Sequence, residues 1–122
     1  MSDALLLFAH GSREPEWAHP LHALRDRIQG LLPERRIDLA YLELMAPSLP
    51  DAVAQLASQG MRNIVILPLF LGQGSHVRND LPKLAESARR RHPDLRIELL
   101  PALGEQAEIL EGLARSIVRT LG

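Results

Sequence analysis

Apolar residues along this chain fall into two alternating patterns. Short continuous runs, Leu5-Leu6-Leu7-Phe8-Ala9 and Ile64-Val65-Ile66-Leu67, are the mark of strands buried on both faces of a sheet. Between them lie stretches with apolar residues three and four apart, the mark of amphipathic helices. Read in order, the pattern predicts strands over 4–9, 36–42, 63–71 and 96–100. It predicts helices over about 16–32, from Ser48 to Gly60, from Asp80 to Arg91-His92, and over 105–121. Leu21, Leu24, Ile28 and Leu31 or Leu32 form the stripe of the first helix. Pro15 suits its first turn, Pro20 kinks or delays it, and Gly30 and Pro33 end it. Ser48 with Asp51 approximates a capping box for the second helix, which turns Val53, Leu56 and Ala57 inward and closes at Gly60. Asp80 and Pro82 suggest the start of the third. Ile109, Leu110, Leu113, Ile117 and Val118 make one face of the fourth. The order βαβαβαβα implies an α/β fold: a four-stranded parallel sheet with right-handed crossovers and helices on both faces.

Length and composition narrow the function. At 122 residues a single domain over 1–122 is expected. Cysteine is absent, which excludes a disulfide scaffold, thiol catalysis and thiolate metal sites. A net charge of −1 argues against a general nucleic-acid binder, and 3% aromatic residues leave no stacking platform for single strands. No apolar run is long enough to span a bilayer, and the N-terminus lacks a leader pattern, so a cytoplasmic location is expected.

In a parallel sheet the carboxyl ends of the strands share one edge, where ligands of open α/β sheets bind. The first strand runs into His10-Gly11-Ser12-Arg13, the second into Glu43, and the third into Gly72-Gln73-Gly74-Ser75-His76-Val77-Arg78. Two imidazoles and a carboxylate on neighbouring strands match a 2-His-1-carboxylate set, suited to Fe, Co or Ni with positions left open. Each residue also has a plainer reading. A strand-end histidine serves as a loop or capping residue, Glu43 as a solvated terminus, and Arg13, Arg78 and Lys83 as surface charges. His19 and His22 read as a surface pair, and His92 as a helix-end residue. Trp17 reads as packing for the first helix or as a pocket wall. Gly72-x-Gly74 is too short a motif for a phosphate loop.

Three elements together resemble one family. They are Leu7-Phe8-Ala9-His10-Gly11-Ser12-Arg13; Tyr41-Leu42-Glu43-Leu44 with Pro47-Ser48-Leu49; and Leu67-Pro68-Leu69-Phe70-Leu71 leading through Gly72-x-Gly74-x-His76 to Asp80-Leu81-Pro82. The sequence is similar to the short CbiX-type sirohydrochlorin cobaltochelatases, within the class II tetrapyrrole chelatases, over nearly its whole length. The resemblance implies a three-layer chelatase-like (flavodoxin-like) domain. It implies ATP-independent insertion of a divalent metal into sirohydrochlorin, in cobalamin or related tetrapyrrole biosynthesis. Co²⁺ leads as the metal substrate, Ni²⁺ or Fe²⁺ follow, and no organic cofactor is needed. The family's metal-binding histidines fall on His10 and His76, which also carry the catalytic role, and its acidic partner on Glu43. Ser12, Arg13, Gly74, Ser75 and Arg78 become the residues expected at the substrate, with Lys83 a further cation for its carboxylates. Long forms contain two such units, so a short form is expected to pair as a homodimer, with no nucleic-acid or membrane partner. Two other classes stay open: a metal-binding chaperone without chelatase activity, and a flavodoxin-like regulatory domain. The second lacks the acidic cluster that a phospho-acceptor site needs at the end of the first strand.

Overall fold

The computed structural model describes residues 3–122. Strands β1 (Asp3–Ala9), β2 (Arg36–Tyr41), β3 (Asn63–Pro68) and β4 (Arg96–Leu99) form one parallel sheet in the order β2-β1-β3-β4. Helix α1 (His19–Leu31) follows a short 3₁₀ turn at Pro15–Ala18, and α2 (Leu49–Ser58), α3 (Ser75–Arg91) and α4 (Ala107–Thr120) complete the chain. The alternation predicted from the sequence is the one observed.

Two apolar layers hold the sheet. Leu6, Phe8, Ile64, Ile66 and Ile97 point to one face and meet Val53 and Leu56 of α2 and Leu81 and Ala88 of α3. The second layer joins Leu7, Ala9, Ile37, Leu39 and Tyr41 to Ala18 and to Leu21 and Ile28 of α1. The alternation of Leu6 and Phe8 with Leu7 and Ala9 is the two-residue period of a strand buried on both faces.

The structure moves several boundaries. The third helix begins at Ser75, not near Asp80, and runs through Pro82. A proline two residues after an aspartate reads as a helix start, but here it sits inside the helix, where it removes one backbone donor. The shift moves His76 from a loop onto the helix's first turn. The first α-helix starts at His19, after the 3₁₀ turn, which puts Pro20 in its first turn, where the missing donor is harmless. In α2, Ala52 is buried beside Val53 and Leu56, while Ala57 lies at the margin. Ser48 caps α2 as expected, its Oγ accepting from the Asp51 N–H at 3.3 Å. The apolar face of α4 is exposed.

Candidate metal-binding site

The carboxyl rim is laced by backbone bonds that place its side chains. The Leu42 N–H donates to the Ala9 carbonyl at 2.8 Å and the Glu43 N–H to the His10 carbonyl at 3.1 Å, carrying the β1–β2 ladder past the strand ends. On the other side the Leu69 N–H donates to the Phe8 carbonyl at 2.8 Å. His10 therefore sits between the chains leaving β2 and β3. Gly11 makes this possible: its φ is +99°, and a Cβ there would overlap the Glu43 carbonyl. Just beyond, Leu44 has a φ of 68°, a left-handed conformation that costs a non-glycine residue about 1 kcal/mol. Local strain thus accompanies the turn that presents Glu43.

His10 and Glu43 meet at the rim. His10 Nε2 lies 3.9 Å from Glu43 Oε2, with the two side chains 48% and 51% exposed. The His10 Nδ1 lies 3.2 Å from the Gly11 carbonyl oxygen. A carbonyl only accepts, so this bond requires the proton on Nδ1 and leaves the lone pair of a neutral ring on Nε2, facing the carboxylate. That is the tautomer and orientation a metal ligand needs. With bonds of about 2.1 Å to nitrogen and oxygen, a 3.9 Å gap subtends roughly 135° at a shared ion. Closing the gap to about 3.4 Å would give the tetrahedral angle. Half-exposed and 3.9 Å apart, the two groups add little to stability.

His76 is exposed on the first turn of α3. Among the described residues, no group of three His, Asp or Glu side chains is gathered closely enough to hold an ion. The structure therefore joins His10 to Glu43 and leaves His76 outside the pair; His19 and His22 likewise form no such group. Ser12 Oγ accepts from the Glu14 N–H at 3.1 Å and shapes the turn that carries Arg13. Gly74 is the N-cap of α3 and makes no side-chain cap, and Ser75 opens the helix. Among the described residues, Arg13, Arg78 and Lys83 make no ion pair, whereas Arg25, Arg36, Arg89, Arg90 and Arg115 do. These three cations are free to meet anions. Trp17 lies half-exposed on the 3₁₀ turn. Burial raises the Tyr41 hydroxyl above its ordinary value of 10.0.

Two contacts at the rim escaped sequence reasoning. The Gly104 N–H donates to the Phe70 carbonyl at 2.9 Å, and a Cβ on Gly104 would overlap the Leu71 carbonyl. Gln73 Nε2 donates to Glu105 Oε1 at 2.9 Å. Both are long-range, and no local motif announces them. A cavity of about 110 Å³ between α2 and α3, lined by Pro50, Val53, Leu84, Ala88, Arg91 and His92, lies apart from this rim. It is too small for a drug-sized ligand, let alone a macrocycle.

Known proteins resemble the chain throughout. A sirohydrochlorin cobaltochelatase of Methanocaldococcus jannaschii is 33% identical over 84 residues, 67% of this chain and 57% of the relative. One of Saccharolobus solfataricus is 27% identical over 122 residues, 95% of this chain and 94% of its own length. A sirohydrochlorin ferrochelatase of Priestia megaterium is 28% identical over 118 residues, 97% of this chain and 44% of the relative. Measured on the first curated relatives, the matched region spans little more than half of their length, 55% to 57%. Among solved structures, a CbiX protein from Marinobacter aquaeolei VT8 superposes with a TM-score of 0.82 at 27% identity, covering 98% of this chain and 97% of that one. The chelatase SirB from Bacillus subtilis subspecies spizizenii, solved with cobalt, gives a TM-score of 0.78 at 24% identity. There the match covers 98% of this chain and 51% of SirB, and shows a shared fold. The CbiX family model matches residues 4–120. This chain belongs to the CbiX family.

Proposed function

We propose that this chain, as one chelatase-like unit over residues 1–122, inserts a divalent metal ion into sirohydrochlorin without a nucleotide. Co²⁺ is the first candidate, with Ni²⁺ or Fe²⁺ as alternatives, in cobalamin or related tetrapyrrole biosynthesis. The observation that carries this reading is the His10–Glu43 pair, with Nε2 free and aimed at the carboxylate across 3.9 Å. Membership of the CbiX family, with relatives named sirohydrochlorin cobaltochelatase and ferrochelatase, supports the substrate and leaves the metal to be chosen. Affinity for an N/O set follows a fixed order among these ions, so supply decides occupancy.

The chemistry balances simply: the metal-free macrocycle loses two pyrrolic protons as the dication enters. His10 Nε2 and Glu43 hold the arriving ion. His76, exposed on the first turn of α3 and outside this pair, is the third ligand in this reading. A histidine that releases the ion regains a lone pair and takes up one pyrrolic proton, and the second passes to the other imidazole or to bulk water. The site stays open and half-exposed, as a donor that must give up its metal requires. Arg13 and Arg78, with Lys83 beyond them, meet the substrate's carboxylates through charge-assisted bonds. Ser12, Gly74 and Ser75 line the approach, their small side chains letting the macrocycle near the backbone. The active unit is a cytoplasmic homodimer. Among the described residues no helix is long and apolar enough to cross a membrane.

The test is an anaerobic absorbance assay of sirohydrochlorin with each metal. Enzyme-dependent metallation that fails in His10→Ala bears the reading out; metal binding without metallation overturns it.

A further inference from the structure

The loop that delivers His76 to the head of α3 is sparsely held. The Leu69 N–H bonds the Phe8 carbonyl at 2.8 Å, and the Phe70 carbonyl accepts from the Gly104 N–H at 2.9 Å. Beyond that point the ladder stops. Among the described residues, Leu71, Gly72 and Gln73 make no backbone hydrogen bond. Gly72 and Gly74 have open space where a Cβ would stand, and Gly74 caps α3 without a side-chain bond. Two glycines so close together leave this stretch free to take many paths. Its backbone alone does not decide where the first turn of α3, and with it His76, is placed.

One side chain ties the loop down. Gln73 Nε2 donates to Glu105 Oε1 at 2.9 Å, across 32 positions of sequence. Glu105 belongs to a well-anchored turn. Its own N–H donates to the Ala102 carbonyl at 2.9 Å, and Gln106 Nε2 donates to the Pro101 carbonyl at 2.7 Å. Ala102 is buried, and Gly104 lies so close to Leu71 that a Cβ would overlap its carbonyl. The turn after β4 is thus the fixed partner and the loop after β3 the held one. The bond also has one permitted orientation. Turned over, the Gln73 amide would set its oxygen against the carboxylate, two acceptors with no proton between them. As it stands, Gln73 Oε1 is buried without a hydrogen-bond partner, the one such side-chain atom among the described residues. A buried acceptor left unpaired is a cost to the fold, and such exceptions gather where function sets the geometry.

We propose that Gln73 and Glu105 are positioning residues for metal transfer. Their bond fixes the approach to α3 and so holds His76 at the rim for the ion shared with His10 and Glu43; neither residue touches the ion. The proposal rests on the reading of His76 as the third ligand. It adds the turn after β4 to a site otherwise built from the ends of β1, β2 and β3.

Co²⁺ titration and amide hydrogen exchange test it. The first backbone bond of α3 runs from the Arg78 N–H to the Gly74 carbonyl at 3.1 Å. In Gln73→Ala and in Glu105→Ala that amide is expected to exchange faster while the strands keep their protection. Co²⁺ affinity is expected to fall about tenfold, the lower end for losing a group that orients a metal ligand. Glu105→Gln keeps an oxygen acceptor and is expected to hold its affinity. Gln73→Glu sets two carboxylates together and is expected to lose it. Adding Glu105→Gln to that variant rebuilds the bond with donor and acceptor exchanged, and is expected to restore both affinity and protection, which a general lesion of the fold would not allow. In a His76→Ala background, Gln73→Ala is expected to cost nothing further. Unchanged exchange at Arg78 in Gln73→Ala, an exchanged pair that restores nothing, or a loss that persists without His76 would overturn the proposal. A His76→Ala chain that binds Co²⁺ as tightly as the wild type would overturn it too, and leaves insertion through His10 and Glu43 to its own assay. A wild type that binds Co²⁺ through a held His76 but metallates no sirohydrochlorin leaves the positioning standing and removes the enzyme reading.

Discussion

At the residue scale, the account turns on one imidazole whose proton is assigned by its neighbour. With its proton on Nδ1, His10 donates to the Gly11 carbonyl, so Nε2 is the atom offered to a cation beside Glu43. Replacing His10 by alanine removes the donor without touching the core, because the side chain is half-exposed. Metal insertion is expected to fall by about 100-fold or more, the range for a lost proton-transfer group, with circular dichroism unchanged. His76→Ala is expected to behave alike, and Glu43→Gln to lose less, roughly 10-fold, since the amide oxygen still reaches a cation. Gly11→Ala acts differently. A Cβ would overlap the Glu43 carbonyl at a φ of +99°, so a cost of about 1–3 kcal/mol is expected, seen as a lower urea midpoint. Tyr41 supplies the pH prediction. It is the sole tyrosine, so phenolate absorbance follows it alone, and its midpoint is expected above 10.0 in the folded protein. The unfolded chain then loses this proton first. Its contribution is intact below pH 10.0 and is lost as pH climbs through the raised folded value, a fall that Tyr41→Phe is expected to lessen.

At the element scale, capping and strand ends do the positioning. Ser48 Oγ accepts the Asp51 N–H, so Ser48→Ala is expected to cost about 1 kcal/mol, read as a lowered thermal midpoint. That cap, the strands and the inner stripe of α2 were legible in the sequence because each depends on residues close in the chain. Leu6 and Phe8 alternate with Leu7 and Ala9, and Ser48 precedes Asp51 by three. The start of α3 was not legible. Pro82 after Asp80 imitates a helix N-terminus, while the true first turn, Ser75-His76-Val77, carries no side-chain cap to announce it. The rim was half legible. His10 and Glu43 could be placed on one edge from strand order, since register follows from the sheet. The tie from Gly104 to Phe70, and the left-handed Gly11 pressed on Glu43, join residues more than thirty apart and leave no local trace. The exposed face of α4 was visible as a face, but periodicity says nothing of what covers it.

At the scale of the whole molecule, one CbiX unit presents an open rim and an exposed apolar face on α4. An open rim suits a metal that arrives and leaves. Arg13 and Arg78 make no ion pair among the described residues; if they meet the substrate's carboxylates, binding is expected to weaken with salt, seen as a KM that rises from low to moderate ionic strength. The most direct measurement is the anaerobic spectral conversion of sirohydrochlorin with Co²⁺ by the wild type and by His10→Ala, at equal concentration and with the fold verified. The account predicts enzyme-dependent conversion in the first and a background rate in the second. Equal rates in both would contradict it.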